Sequence, residues 1–243
     1  MSKRSPNTYQ KIHTIFKRGE RNIIQPDEPF SVPEIEYLRG LLWHTEEKID
    51  GTNVRIEIYT EDAGDGLSRL RVRYAGKTDN AQMPVPLMEH LRETYPAERV
   101  IAALEWNEVC EHPAGEVLAT IYGEGYGEKI QDVGSKYRAG QSFIAFDVKV
   151  GDTYLDIPDR NAVLKSMGAP IVPHVGDMTV DVAISFVRTG FRSFISEEPI
   201  FAEGLVLRPL VRLKNARGER IIAKLKHDDF VKYDIYMKEA GTK

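Results

Sequence analysis

The strongest constraint on the fold is a series of short alternating or β-branched runs, recurring with turn residues between them. They are Val54–Tyr59, Leu70–Tyr74, Val117–Tyr122, Phe143–Val150, Gly204–Leu213 and Glu219–Lys226, and each has the period and composition of a strand. Gly64-Asp65-Gly66 precedes the second run, Gly151-Asp152 follows the fourth, and Asn215 to Gly218 separates the last two, which is hairpin chemistry. Helical patterns are fewer: Pro86–Tyr95, Asp159–Met167 with a stop at Gly168, Val180–Arg188 and Asp228–Glu239. The helices fall between groups of strands instead of alternating with them one for one. The expectation is therefore an α+β fold with antiparallel sheets flanked by helices, and not a doubly wound parallel sheet.

With 243 residues, 42% of them hydrophobic, the chain can build one large core or two small ones. It reads as a single domain over 1–243, with an N-terminal segment 1–39, a motif-bearing core 43–226 and a C-terminal helix in 227–243. No apolar run approaches the roughly 20 residues that span a bilayer, and the start MSKRSPNTYQ lacks the apolar stretch of a secretory signal. A cytoplasmic location without membrane partners is expected. The single cysteine, Cys110, excludes an internal disulfide framework, and with His112 it is too sparse for a zinc site. A net charge of -4 argues against nonspecific coating of nucleic acid, although a local basic groove fits inside an acidic whole.

One stretch raises a chemical question. EEKIDGTN, residues 46–53, sets Lys48 among Glu46, Glu47 and Asp50 at the end of a strand. Alone, it reads better as a charged turn in which Asp50-Gly51 reverses the chain. Farther along lie Glu203-Gly204-Leu205-Val206 and Ala223-Lys224-Leu225-Lys226. In a strand, Lys224 and Lys226 share a face: either they guard a solvated edge, or they clamp a phosphate. Phe146-Asp147 puts an aromatic beside a carboxylate at what reads as a strand end. That is either core packing or a platform for stacking a purine next to a metal or ribose contact. Tyr122-Gly123-Glu124-Gly125-Tyr126-Gly127 holds Glu124 among glycines that a plain turn would account for without it.

Taken together, Lys48-Ile49-Asp50-Gly51, Phe146-Asp147, Glu203-Gly204-Leu205-Val206 and Lys224-Leu225-Lys226 resemble, in order, nucleotidyltransferase motifs I, III, IV and V of the superfamily of ATP-dependent ligases and mRNA capping enzymes. Within it, Asp50-Gly51-Thr52-Asn53, the stretch Ala75 to Gln82 and the glycine-rich segment around Glu124 are similar to phage-type RNA ligases. The resemblance runs from Trp43 to Lys226. It implies a nucleotidyltransferase (adenylation) domain, an ATP cofactor whose AMP becomes joined to Lys48, Mg²⁺ or Mn²⁺, and an RNA partner with 5′-phosphate and 3′-OH ends. A phage origin would put the protein in a host's cytoplasm. A minimal DNA ligase, a GTP-using capping enzyme and a noncatalytic nucleotide- or RNA-binding module are the rival readings.

The resemblance also implies roles. Lys48 is the nucleophile; Lys224 and Lys226 contact phosphates; Phe146 stacks on adenine and Glu46 helps to read its amine. Asn53 or Lys77 meets ribose or a phosphate, with Lys77 standing where relatives often carry arginine, so that the bidentate fork is lost. Asp50, Glu124, Asp147 and Glu203 are the metal candidates. A lysine with an ordinary pKa of about 10.4 must be deprotonated to attack, and carboxylates alone would oppose that. The difficulty is removed if the acids mainly hold a hydrated cation. Only 17 residues follow Lys226, so no C-terminal OB domain is expected and sealing would draw on an accessory protein or domain. Lys3, Arg4, Lys11, Lys17, Arg18 and Arg21 form either a solvated face or a set of phosphate contacts.

Overall fold

The computed structural model describes residues 7–64 and 66–241; Lys3, Arg4 and the turn residue Asp65 lie outside them. The chain forms two compact units, one of Gln10–Ile49 with Pro173–Lys243, the other of Asp50–Val172 with the described residues up to Tyr9. Strands and helices are numbered along the chain.

In the first of these units a five-stranded sheet has the order β1 (His13–Thr14), β11 (Ala223–Lys226), β10 (Gly204–Pro209), β2 (Trp43–Lys48), β9 (His174–Met178). Every pairing is antiparallel except the two-residue β1–β11 pair. Directly opposed residues share a face. One face therefore carries Trp43, Thr45 and Glu47 with Leu207 and Leu205, and the other His44, Glu46 and Lys48 with Arg208, Val206 and Gly204. The apolar face closes on α6 (Val180–Thr189) and α7 (His227–Gly241), whose Val180, Ala183, Val187 and Phe230 join Trp43, Leu205, Leu207 and Leu225 in one core. Each aliphatic or aromatic side chain buried there contributes roughly 1.5–3 kcal/mol. A short α1 (Pro33–Tyr37) supplies Ile35.

The other unit is a six-stranded antiparallel sheet of order β5 (Val109–Cys110), β4 (Leu67–Ala75), β3 (Thr52–Gly64), β6 (Val117–Gly127), β7 (Gln141–Val150), β8 (Thr153–Tyr154). Val54, Ile56, Ile58, Leu70, Ile121, Phe143 and Val148 line its apolar face against Leu87 and Leu91 of α2 (Val85–Thr94), Val100 of α3 (Ala97–Ala102) and Leu164 of α5 (Ile157–Met167). The turn α4 (Gly134–Tyr137) follows β6. Asp156 caps α5 by accepting from Asp159 N, and the helix stops at Gly168.

The α+β class and the antiparallel sheets agree with the sequence reading, and the four expected helices are present. Boundaries differ where chemistry intervenes. The run expected as Gly204–Leu213 ends at Pro209, which has no N–H to extend the ladder. The Glu219–Lys226 run narrows to Ala223–Lys226. The strand expected as Phe143–Val150 does end at Val150, so Phe146-Asp147 lies within it and not at a strand end. It carries a register shift that opposes Tyr122 to Asp147 and Gly123 to Ala145, leaving Phe146 as the extra residue of a bulge.

Candidate active site

Lys48 is the last residue of β2 and opposes Gly204 of β10, which in turn opposes Lys226 of β11. The two lysines thus flank one residue on three adjacent strands. Glu203, immediately before Gly204, lies between them: Lys48 Nζ donates to Glu203 Oε2 at 2.5 Å, and Lys226 Nζ lies 2.5 Å from Oε1. One row back, Val206 opposes both Glu46 and Lys224, so Lys224 joins the same face. Gly204 makes the spacing possible. Its φ is +155°, and a Cβ there would run into the Leu225 carbonyl, which is backbone of the paired strand and cannot yield.

The result is three lysines around one carboxylate. Burial and then the charges of Lys48 and Lys226 hold the Lys224 ammonium below the ordinary lysine range, with Glu203 opposing and Arg18 adding to the fall. A lysine with a folded-state pKa below its unfolded value destabilises the fold while both states are protonated. That penalty fades as pH climbs from the depressed value to the ordinary 10.5. Lys224→Met is therefore expected to be more stable than the wild type at neutral pH, with an advantage that shrinks toward the ordinary lysine pKa while function is lost. Urea unfolding at neutral and alkaline pH measures it, and an advantage that grows with pH would contradict this account.

The sequence reading gave the adenine contact to Glu46. In the structure Glu46 is buried and committed: its Oε2 accepts from Arg208 Nη2 at 2.6 Å and its Oε1 lies 3.2 Å from His44 Nε2. Its neighbour Glu47, which the sequence reading passed over, is buried on the opposite face. Oε2 of Glu47 accepts from Phe194 N at 2.9 Å, while Oε1 meets no hydrogen-bond partner among the described residues. Burial pushes this carboxyl up, with Ser193 and Phe194 pulling the other way. A signal was present, since strand alternation counted back from Lys48 separates Glu46 from Glu47.

The unit of Asp50–Val172 holds the remaining candidates. Gly51 lies against β6, where a Cβ would meet the Gly125 carbonyl and the Glu124 side chain, so the turn carrying Asp50 is drawn onto Glu124. Gln131 Nε2 donates to Gly51 O at 2.9 Å and Asp50 N donates to the Tyr137 hydroxyl at 3.3 Å. Asn53 opposes Glu124 across β3 and β6, and its buried Oδ1 has no hydrogen-bond partner among the described residues. Asp147 is buried, accepting from the Tyr9 hydroxyl at 2.7 Å and from Val148 N. Phe146 meets the Tyr9 ring edge-on, with centroids 5.0 Å apart.

Lys77 is exposed on the loop after β4. The loop itself is tied down by Arg55, fully buried, which donates to Gly76 O at 2.8 Å and to Asp79 Oδ1 at 2.7 Å while pairing with Glu57. The sequence reading missed Arg55 because it occupies a polar position of an alternating strand, where a solvent-facing charge is the ordinary outcome. The structure brings Lys48, Glu203, Lys224 and Lys226 together on one sheet, and Asp50, Asn53 and Glu124 together on the other. Of the basic N-terminal residues, Arg18 pairs with Asp229 at 2.6 Å and Arg21 with Glu239 at 3.8 Å. Among the described residues, no helix is long and apolar enough to cross a membrane.

Three lysines gathered around one bridging glutamate on an α+β scaffold define the class of site. A family model described as RNA ligase matches residues 42–226, about three-quarters of the chain. The chain belongs to the RNA ligase family. Among solved structures, Naegleria gruberi RNA ligase with PPi is 18% identical, with a TM-score of 0.58, covering 94% of this chain and 62% of that one. A mutant of the same ligase with ATP and Mn is also 18% identical, with a TM-score of 0.57 and coverages of 83% and 54%. A further mutant with AMP and Mn gives 18% and 0.55 over the same shares. These likenesses are of fold, and the chain spans 54–62% of the length of those ligases. No curated protein matches it.

Proposed function

We propose that the chain is an ATP-dependent RNA ligase acting through a lysyl-AMP intermediate on Lys48. The observation that carries this reading is the Lys48–Glu203–Lys226 array with Lys224 beside it. It is an amine nucleophile set among cations able to take up a polyphosphate. Lys48 Nζ gives up a proton and attacks the α-phosphorus of ATP: a P–N bond forms, and the P–O bond to the leaving pyrophosphate breaks. The 5′-phosphate of one RNA end then attacks that phosphorus, a P–O bond replacing P–N, and carries the AMP away. The 3′-OH of the other end attacks the 5′-phosphate and expels AMP. Negative charge gathers on the nonbridging oxygens at each transition state, and lysines fixed beforehand stabilise it. Glu203 contributes by holding Lys48 and Lys226 in place until a phosphate displaces it.

In this reading Phe146 stacks on adenine, Glu46 helps to read its amine from the face of β2 that carries Lys48, and the buried Asn53 Oδ1 takes a donor from the nucleoside. Lys77 meets ribose or a phosphate from the loop that Arg55 positions. The hard oxygen donors of Asp50 and Glu124 suit Mg²⁺ or Mn²⁺, and an ion held there would draw charge from the substrate's phosphate oxygens. Asp147 and Glu203 would join them only by releasing Tyr9 and the lysines respectively. The N-terminal basic residues and an accessory protein or domain would contribute to holding RNA ends.

The test uses ATP labelled in the α-phosphate. With Mg²⁺ the denatured chain is expected to retain label, and one pyrophosphate should be released per labelled chain. Supplied with nicked duplexes, it should seal an RNA 3′-OH strand faster than a DNA one, because the 2′-OH distinguishes them. An unlabelled wild-type chain would overturn the proposal, and preferential sealing of DNA would overturn the RNA assignment.

A further inference from the structure

We propose that His44, His174 and Asp177 form a site for a single transition-metal dication of the zinc class, separate from the carboxylates assigned to magnesium. The site stands on the β2–β9 pairing, where His44 opposes Asp177 and Glu46 opposes His174 across a register shift. The three ligand atoms lie within 4.8 Å of one another. Asp177 Oδ1 is 3.4 Å from His44 Nδ1 and 3.0 Å from His174 Nε2. One carboxylate oxygen thus faces two imidazole nitrogens.

The surroundings of His44 select this use. Its other nitrogen, Nε2, is 3.2 Å from Glu46 Oε1, and Glu46 is itself anchored by Arg208 at 2.6 Å. When Nε2 donates its hydrogen bond to Glu46, Nδ1 faces Asp177 Oδ1, and the space between them is filled either by a second proton on the ring or by a metal cation that takes both lone pairs. A carboxylate behind the distal N–H is also the usual support of a metal-bound histidine, fixing its tautomer and raising its basicity.

His44 is buried, whereas the side chains of His174 and Asp177 are 48% and 39% exposed, so an ion has a way in. The two rings lie parallel, with centroids 4.2 Å apart and planes within 5°. Parallel rings cannot both aim at one ion, so the half-exposed His174 tilts out of the stack when it binds. Two imidazoles and one carboxylate suit Zn²⁺, Co²⁺ or Ni²⁺ over the oxygen-seeking Mg²⁺, and they leave a position for water or a ligand oxygen. His44, Glu46 and Lys48 alternate along one face of β2, which places the ion about 13 Å up the strand from Lys48. The site ties β9 to β2, and its existence does not depend on the ligase reading.

The experiment titrates Zn²⁺ into the full, chelator-treated chain with Mg²⁺ saturating, followed by calorimetry and, with Co²⁺, by visible absorption. One tightly bound ion per chain is expected, with an imidazole-type cobalt spectrum and a rise in melting temperature. His174→Ala and Asp177→Asn, both at the surface, should each weaken binding more than about tenfold, and Glu46→Gln by about tenfold through His44. Glu203→Gln should bind as the wild type does. Metal-free melting curves that match the wild type show that the two surface variants are folded. Failure to take up one ion, uptake undiminished in both surface variants, or uptake lost in Glu203→Gln would each overturn the assignment.

Discussion

Lys48→Arg is expected to fold as the wild type does and yet to lose label transfer from ATP by roughly four orders of magnitude or more. Arginine keeps the positive charge at the end of β2, and its guanidinium can pair with Glu203 as well as an ammonium does. The electrostatics of the Lys48–Glu203–Lys226 array are therefore preserved. What disappears is the attacking lone pair, because a guanidinium is not deprotonated in a protein. The substitution separates two roles that alanine would remove together. Label incorporation and a melting curve measure them, and incorporation within tenfold of wild type would mean that Lys48 acts only as a charge.

The second large effect belongs to Gly204→Ala, which should lose about 3 kcal/mol of stability and most of the labelling. Its added Cβ points at the Leu225 carbonyl across the β10–β11 ladder, from a backbone with φ +155°. The strands would have to part at the row that carries Lys48 and Lys226. Gly40→Ala, where nothing lies within 4 Å of the added carbon, is the control. Equal stability of the two variants in urea would show that the strand spacing tolerates a side chain and that the glycine has another purpose.

The apolar strands and the four long helices were legible because their burial pattern is their sequence pattern: Val54, Ile56 and Ile58 alternate inward and α6 is amphipathic. β2 and β9 were not. Trp-His-Thr-Glu-Glu-Lys is buried along almost its whole length, with Glu46 paired to the distant Arg208 and His44 facing the distant Asp177. No periodicity of hydrophobic residues announces a strand of that kind. The same limit applied to the site. The order of the motifs selected Lys48, Glu203, Lys224 and Lys226; the register brings the three lysines onto one face, and ion pairs bring Glu203 to Lys48 and Lys226. Arg55 and Glu47 escaped notice because a charge within a strand reads as solvent-facing unless its distant partners are known.

Glu203 also sets a threshold for what enters. The three lysines already have a counter-ion, so an incoming anion replaces a tethered one instead of filling an empty cationic surface. A single carboxylate or chloride gains little by that exchange, since it offers what Glu203 already gives and must first be immobilised. A polyphosphate, with several charged oxygens on one backbone, can engage Lys48, Lys224 and Lys226 at once. On the proposed function, the resident carboxylate would act as a valence filter, quieting the site toward small anions and favouring ligands that carry linked phosphates.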